Sequence, residues 1–285
     1  MKKFVLLVLS FLSLAFVLAA CQQKPQHQLI LFLESEEGID PYQTRVMITP
    51  GYMRFDDGEQ STTFLLIDRN KNVAYSVNHE MQTIMSVKGQ GIEATPPMEL
   101  TYTVNELDDF KDAPTINGRQ PKHRQLLTNA QVCLDVVSVK GLMPEAVVAL
   151  KEYHQLLAAD SAITFNVIPA DMHDPCDISM STFAPTRHLE HGFPIQEWKP
   201  GYARSLESYD ENYQVDPELL KLPEAYFSYS IQEFREGRVD FDNRKILPAT
   251  ETVKQPSEAE LEKSTIETPS SGAPEVPVPE SNVGS

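Results

Sequence analysis

Between residues 28 and 248 the hydrophobic positions recur mostly with a period of two. Residues 29–33 form an apolar run, and further short runs, most of them alternating between apolar and polar residues, follow at residues 44–49, 52–55, 63–67, 73–77, 83–87 and 100–104. Turn-forming pairs such as Pro50-Gly51 and Asp57-Gly58 separate the early runs. Short alternating runs with turn residues between them predict an antiparallel meander of strands. The same pattern predicts further strands at residues 177–183, 193–198 and 202–209.

One segment, residues 144–159, has a helical period instead. Its apolar stripe consists of Ala146, Val147, Leu150, Tyr153, His154 and Leu157. Pro144 suits a first helical turn, and Glu145 complements the helix dipole there. The predicted fold class is therefore α+β and mainly antiparallel β. In it, a curved meander sheet or incomplete barrel packs against one main helix.

The first twenty residues have the pattern of a signal peptide. Lys2 and Lys3 precede an apolar run, which ends in Ala19-Ala20 before Cys21. The string at residues 18–21, Leu-Ala-Ala-Cys, resembles the lipobox of bacterial lipoproteins. That resemblance implies cleavage after residue 20 and lipidation of Cys21, with palmitate among the acyl chains. An uncleaved membrane-spanning helix is the alternative, but the run is short for one.

Two or three acyl chains on Cys21 would give stable membrane anchoring, which one chain does not. Residues 21–27 would form the lipidated tether. Gln22 occupies the position at which lipoproteins retained in the inner membrane commonly have Asp. The resemblance therefore implies sorting to the outer membrane of the cell envelope, with the domain facing the periplasm.

The last segment, residues 249–285, is rich in Pro, Glu, Ser and Thr and has no aromatic residue. Such a composition buries too little apolar surface to offset the entropy of ordering, so we predict a disordered acidic tail. The tail could contact an envelope protein partner. Residues 28–248 remain as one β-rich domain.

The net charge of the chain limits the classes of partner that it can bind. The chain has a formal net charge of −17. An acidic excess of this size argues against nucleic acid as a partner and against a basic patch that docks on anionic lipid.

Two cysteines remain once Cys21 is lipidated, and an even number in an exported chain predicts a disulfide between Cys133 and Cys176. The alternative is a metal site formed by Cys176 with His173, His188 and His191. The spacing of these residues does not form a recognised zinc motif, so we favour the disulfide and predict no metal and no cofactor.

The order of meander, helix and returning strands resembles the LolA/LolB superfamily of periplasmic lipoprotein carriers and its uncharacterised relatives. The strings that carry the resemblance are Gly192-Phe193-Pro194-Ile195, residues 129–133, residues 202–209 and residues 216–226. The resemblance implies an incomplete antiparallel barrel around an apolar cavity, with helices as a lid. An apolar ligand, such as a lipid or an acyl chain, would occupy that cavity.

Candidate cavity residues are large and apolar. They are Leu65, Ile67, Met85, Leu150, Leu157, Met180 and Trp198. If these side chains fill the interior instead, the domain is a non-catalytic structural or interaction protein of the envelope. No catalytic motif is present, and the acidic pairs Asp56-Asp57 and Asp108-Asp109 are typical of solvated turns, so the sequence predicts no enzyme and no catalytic residue.

The anchor gives the first testable prediction. Changing Cys21→Ser should abolish incorporation of radiolabelled palmitate and leave a precursor that is not processed normally, because the lipid is attached through the thiol. Labelling followed by membrane fractionation measures both effects. Normal processing and membrane retention of the variant would contradict the lipoprotein interpretation.

Overall fold

A computed structural model describes residues 27–89, 94–165, 169 and 172–249. The predicted signal peptide, Cys21 and all but the first residue of the predicted tail lie outside these ranges. Within them, no helix is both long enough and apolar enough to cross a membrane. The chain divides into two compact units between Arg235 and Glu236.

The first unit contains one sheet of twelve strands. The strands are β1 (Gln28–Glu36), β2 (Tyr42–Ile48), β3 (Tyr52–Asp56), β4 (Thr63–Asp68), β5 (Val73–Asn78), β6 (Thr83–Lys88), β7 (Tyr102–Leu107), β8 (Lys122–Thr128), β9 (Gln131–Val139), β10 (Phe193–Lys199), β11 (Tyr202–Asp210) and β12 (Phe227–Ser230).

The sheet is built from two antiparallel meanders. Its strand order is β12-β6-β5-β4-β3-β2-β1-β11-β10-β9-β8-β7. Strands β1 to β6 form the first meander and β7 to β11 the second, and the two meet where β11 pairs with β1. Only β12 runs parallel to its neighbour, β6, among the described strand pairs. The sheet does not close into a barrel, so the predicted α+β class with an open, mainly antiparallel sheet is confirmed.

One long helix, α1 (Pro144–Phe165), covers part of this sheet, and it starts where the sequence predicted but extends six residues further. It contacts β5 and β6 on one side of the sheet order and β10 on the other. The other α-helices of the described chain are short, namely α2 (Pro175–Ile178) and α3 (Ile231–Arg235).

The strand predicted at residues 177–183 is wrong. This segment forms the end of α2 and then a π-helical turn, Ser179–Phe183. The Asp174 carboxylate caps α2 by accepting hydrogen bonds from the backbone N–H groups of Cys176, at 2.8 Å, and Asp177, at 3.0 Å. Pro175 occupies the first helical turn, where its missing N–H is not needed. Local capping therefore outweighed the alternating pattern.

The face of the sheet toward α1 carries the main core. Its buried side chains come from several strands of both meanders, from α1 and from the segments next to it. They are Ile30, Phe32, Val46, Ile48, Met53, Ile67, Ala74, Val87, Val139, Leu142, Met143, Ala146, Ala149, Leu150, Leu156, Leu189 and Phe193. Side chains thus fill the space between this part of the sheet and the helix.

The opposite face of β4 to β6 is also apolar. Phe64, Leu66, Val77 and Ile84 form a second buried cluster there. A segment that follows β11 covers it through Leu220, Leu222 and Tyr226. The chain therefore shields both faces of these strands with its own residues.

The second unit is described from Glu236 to Ala249. It contains a short hairpin of β13 (Val239–Asp240) and β14 (Lys245–Ile246). Arg238 donates a hydrogen bond from Nη1 to the Leu247 carbonyl at 3.0 Å, next to this hairpin.

A disulfide joins Cys133 of β9 to Cys176 of α2, as the cysteine count predicted. The two residues are 43 positions apart, and their Cα atoms are 5.0 Å apart. Both side chains are buried. The bond therefore fixes α2 and the π-helical turn to the sheet.

Removing this bond tests its contribution to stability. The double variant Cys133→Ala/Cys176→Ala should lose about 2–5 kcal/mol of unfolding free energy, because the unfolded chain regains the freedom of a closed loop. Urea denaturation measures the loss, and the wild-type protein under reducing conditions should show a similar one. Two thiols open to alkylation in the native exported protein would contradict the disulfide.

Candidate functional site

The helix-facing side of the sheet becomes polar at β10 and β11, and a cavity of about 240 Å³ lies there. Strand alternation aims Glu197 and Lys199 of β10 and Tyr202 and Arg204 of β11 into it. The full lining consists of Cys133, Leu134, His154, Cys176, Asp177, Met180, His188, Glu197, Lys199, Tyr202 and Arg204. The cavity is partly open to solvent.

An ion pair between Arg204 and Glu197 forms one wall. The two residues are directly opposite each other in the β10–β11 register, and the Arg204 Nη2 atom donates to Glu197 Oε2. Their side chains are 15% and 5% exposed, respectively. The guanidinium carbon also lies 4.6 Å from the centre of the Phe32 ring. A charge pair is thus held in a largely desolvated position against an aromatic face.

Protonation in this wall is set by competition between burial and charge. Burial lowers the pKa of the Arg204 guanidinium, but Glu197, Tyr202 and Glu34 outweigh burial and raise it above its ordinary value. Burial raises the pKa of Tyr202, whose hydroxyl donates a hydrogen bond to Glu34 at 2.9 Å. Arg204 therefore stays charged and Tyr202 stays neutral near neutral pH.

Two histidines form another part of the lining. His154 lies on α1 and His188 in the 3₁₀ turn Arg187–Leu189, and their ring centres are 4.6 Å apart in an edge-to-face arrangement. Burial lowers the pKa of each to about 3, and the positive charge of Arg204 adds to the effect. Both rings are consequently neutral near pH 7.

Arg204 and His188 each have one side-chain nitrogen atom with unused hydrogen-bonding capacity. Within the described part of the chain, neither Arg204 Nε nor His188 Nδ1 has a hydrogen-bond partner, although both are buried. A buried polar atom without a partner costs about 1–3 kcal/mol, so such atoms mark places where a ligand or water binds.

The remaining wall is apolar. Met180 of the π-helical turn packs on the cluster formed by Leu126, Leu134 and Val136, and the disulfide lies beside it. The cavity therefore has one polar and one apolar side.

Most of the candidate cavity residues lie elsewhere. Only Met180 lines the cavity. Ile67 and Leu150 are each 2% exposed within the main core, and Leu65 and Leu157 are half-buried against that core. These four residues therefore lie in or against the main core, and Ile67 also lines a separate pocket beside Leu156.

The other two candidates do not line the cavity either. Met85 is half-buried on β6, opposite Tyr229 of β12. Trp198 lies opposite Asp135 in the sheet and faces away from the cavity, with its ring 4.9 Å from that of His123. Alternation places Trp198 on the other side from its neighbour Glu197.

The structure also settles the metal alternative at Cys176, whose sulfur is committed to the disulfide. In residues 27–89, 94–165, 169 and 172–249, no group of three or more His, Cys, Asp or Glu side chains is arranged to hold a metal ion.

In the acidic pair Asp56-Asp57, Asp57 is exposed in the turn after β3, as predicted, but Asp56 is not solvated. Asp56 is 6% exposed and forms ion pairs with Arg45 at 2.7 Å and Arg54 at 2.6 Å. Burial raises its pKa, but the two arginines outweigh burial and lower it. Asp109 accepts a hydrogen bond from His123 at 2.8 Å if that nitrogen carries the proton. These carboxylates hold the fold together and do not converge on the cavity.

The polar wall could have been found in the sequence. Glu197 and Lys199, like Tyr202 and Arg204, are spaced by two on strands that were predicted correctly. Polar residues at this spacing on adjacent strands lie on one face. The pairing of β10 with β11 follows from the tight turn between them, but the cover of that face depends on tertiary structure.

Comparisons with known proteins give no function. No protein-family model and no curated protein matches the sequence. Among solved structures, an uncharacterized conserved protein from Thermus thermophilus aligns at 6% identity and a TM-score of 0.38, over 76% of this chain and 99% of that chain.

PNGF-II in two crystal forms aligns at 11% and 10% identity, with TM-scores of 0.33 and 0.34. The alignments cover 72% and 74% of this chain but only 31% and 33% of PNGF-II. Scores this low do not establish a shared fold, and the resemblance to the LolA/LolB superfamily stays a prediction.

The low pKa of His188 predicts acid sensitivity. The pKa is about 3 in the folded protein and 6.5 ordinarily, so between these values only the unfolded chain binds the proton. This contribution to stability is present above about pH 6.5 and is lost, by up to about 1.4 kcal/mol per pH unit, as the pH falls toward about 3.

Urea unfolding at about pH 7.5 and about pH 4.5 measures the loss. His188→Gln should lose less stability than the wild type over this interval, because glutamine does not titrate. Equal losses in both proteins would contradict a buried neutral His188.

Proposed function

We propose that this chain is a lipid-anchored protein of the bacterial envelope that binds one small, partly apolar ligand in the cavity beside the Cys133–Cys176 disulfide. The signal peptide and lipobox pattern supports the anchor at Cys21. The observation that carries the binding role is the cavity itself. It combines an apolar wall of Leu134 and Met180 with buried nitrogen atoms that lack partners.

The size of the cavity favours a small ligand. Pockets for drug-sized molecules have volumes of roughly 300–1,000 Å³, and this one, at about 240 Å³, is smaller. A single short acyl chain is therefore a more suitable ligand than a complete lipid. Each buried methylene contributes roughly 0.8 kcal/mol to the binding free energy. Summed over a short acyl chain, this contribution outweighs the entropic cost of ordering the ligand.

Binding fits the cavity better than catalysis. An effective general base has a pKa close to the operating pH, whereas His154 and His188 have pKa values of about 3. Both cysteines that line the cavity are joined in the disulfide and cannot act as nucleophiles. Glu197 is already paired with Arg204.

One observation favours a second role, a structural or interaction protein of the envelope. Below most of α1 the interior is a packed core that contains Phe32, Leu150 and Phe193, all at most 2% exposed. A domain of this kind can present a rigid surface without binding any small molecule.

A titration with the neutral fluorophore N-phenyl-1-naphthylamine separates the two roles. We expect residues 22–285, produced without the signal peptide in an oxidising compartment, to bind the probe saturably at one site. Met180→Glu should weaken binding about tenfold or more, because a carboxylate in the apolar wall is poorly solvated.

Met172→Glu is the matched control, since Met172 is 71% exposed and does not line the cavity. It should bind like the wild type. No saturable binding to a correctly folded wild type would favour the interaction protein.

A further inference from the structure

The polar wall of the cavity carries formal charges that cancel. Arg204 and Lys199 are cationic, and Glu197 and Asp177 are anionic. His154 and His188 add no charge, because burial keeps both rings neutral near pH 7. Lys199 and Asp177 are exposed, so the charges in the buried part of the wall are those of the Arg204–Glu197 pair. An anionic group beside this pair would lose its water without gaining an unpaired cation, and a cationic group there would face the same deficit.

Two side-chain nitrogen atoms of the polar wall still have unused hydrogen-bonding capacity. The Nε–H group of Arg204 is a donor, and only the guanidinium Nη2 atom of this residue bonds to Glu197. The Nδ1 atom of His188 donates or accepts according to the tautomer. In the described chain neither atom has a partner. A ligand that supplies an uncharged oxygen acceptor would satisfy the Arg204 donor at no cost in unpaired charge.

From this balance we infer that the cavity selects an apolar ligand with an uncharged polar end, such as an amide or a hydroxyl group, over fatty-acid anions and over cationic amphiphiles. The inference rests on the proposed binding function and names its ligand class. The chain of the ligand lies against Leu134 and Met180, and its polar end lies at Arg204 and His188.

Ligands of equal chain length test this inference by displacement of bound N-phenyl-1-naphthylamine from residues 22–285. The set is decanamide, 1-decanol, decanoate and decyltrimethylammonium. Decanamide and decanol should displace the probe at concentrations about tenfold lower than the two charged ligands, as expected for one hydrogen bond to a charged donor and avoided charge burial.

The variant Arg204→Lys keeps a cation beside Glu197 but removes the Nε–H group, so it should lose most of the preference for decanamide. Arg69→Lys is the matched control, because Arg69 forms an ion pair with Glu152 and does not line the cavity. It should keep the preference. If Arg204→Lys does not fold, His188→Phe, which lacks the Nδ1 atom, replaces it with the same expectation.

The outcomes separate the inference from the proposed function. Displacement by decanoate at concentrations equal to or below those of decanamide overturns the inference but leaves binding of apolar ligands intact. Failure of all four ligands to displace the probe, or absence of any probe binding, overturns both. An unchanged preference in the folded Arg204 or His188 variant also overturns the inference, because water alone would then satisfy these atoms.

Discussion

Strands β4 to β6, which lie near one edge of the sheet, carry apolar side chains on both faces, and the surrounding elements are arranged to cover both. On one face Ile67 and Ala74 are buried beneath α1. On the other, Phe64 and Ile84 are buried beneath the segment that contains Leu220 and Leu222. Exposed apolar area of this extent would drive association. The long connection after β11 is therefore part of the fold, since it supplies the second cover.

The cavity exists because the apolar pattern of the helix-facing side is interrupted at β10 and β11. Phe32 and Phe193 stack with ring centres 6.1 Å apart within the core. Beyond them, the Arg204–Glu197 pair replaces side chains that could interdigitate with α1. A buried ion pair contributes little to stability compared with a packed apolar pair. The pair therefore leaves a partly open space at a position where packed apolar side chains would have closed the core.

The sequence predicted the fold better than the site. Alternation located most strands because one residue in two must face the core, and Pro144 marked the start of the main helix. The strand predicted at residues 177–183 is wrong because Asp174 caps a helix there. A hydrophobic pattern contains no information about such hydrogen bonds from the backbone to a side chain. Hydrophobicity also selected Leu150 and Ile67 as cavity residues, and packing placed them in the core. The polar wall follows from the spacing of polar residues on β10 and β11, but the residues that complete the cavity belong to covering segments, whose positions a single sequence does not specify.

The way in which the two meanders join has a consequence for the order of folding. Strand β1 is among the first described segments of the chain, but its partner β11 lies more than half of the chain further on. Likewise, one edge of β6 stays unpaired until β12, which pairs with it in parallel, has been made. Until the last third of the chain arrives, the first meander has two unpaired edges that can template aggregation. Contacts of such long sequence separation make folding slow. The first meander therefore needs protection from self-association until both β11 and β12 have been made.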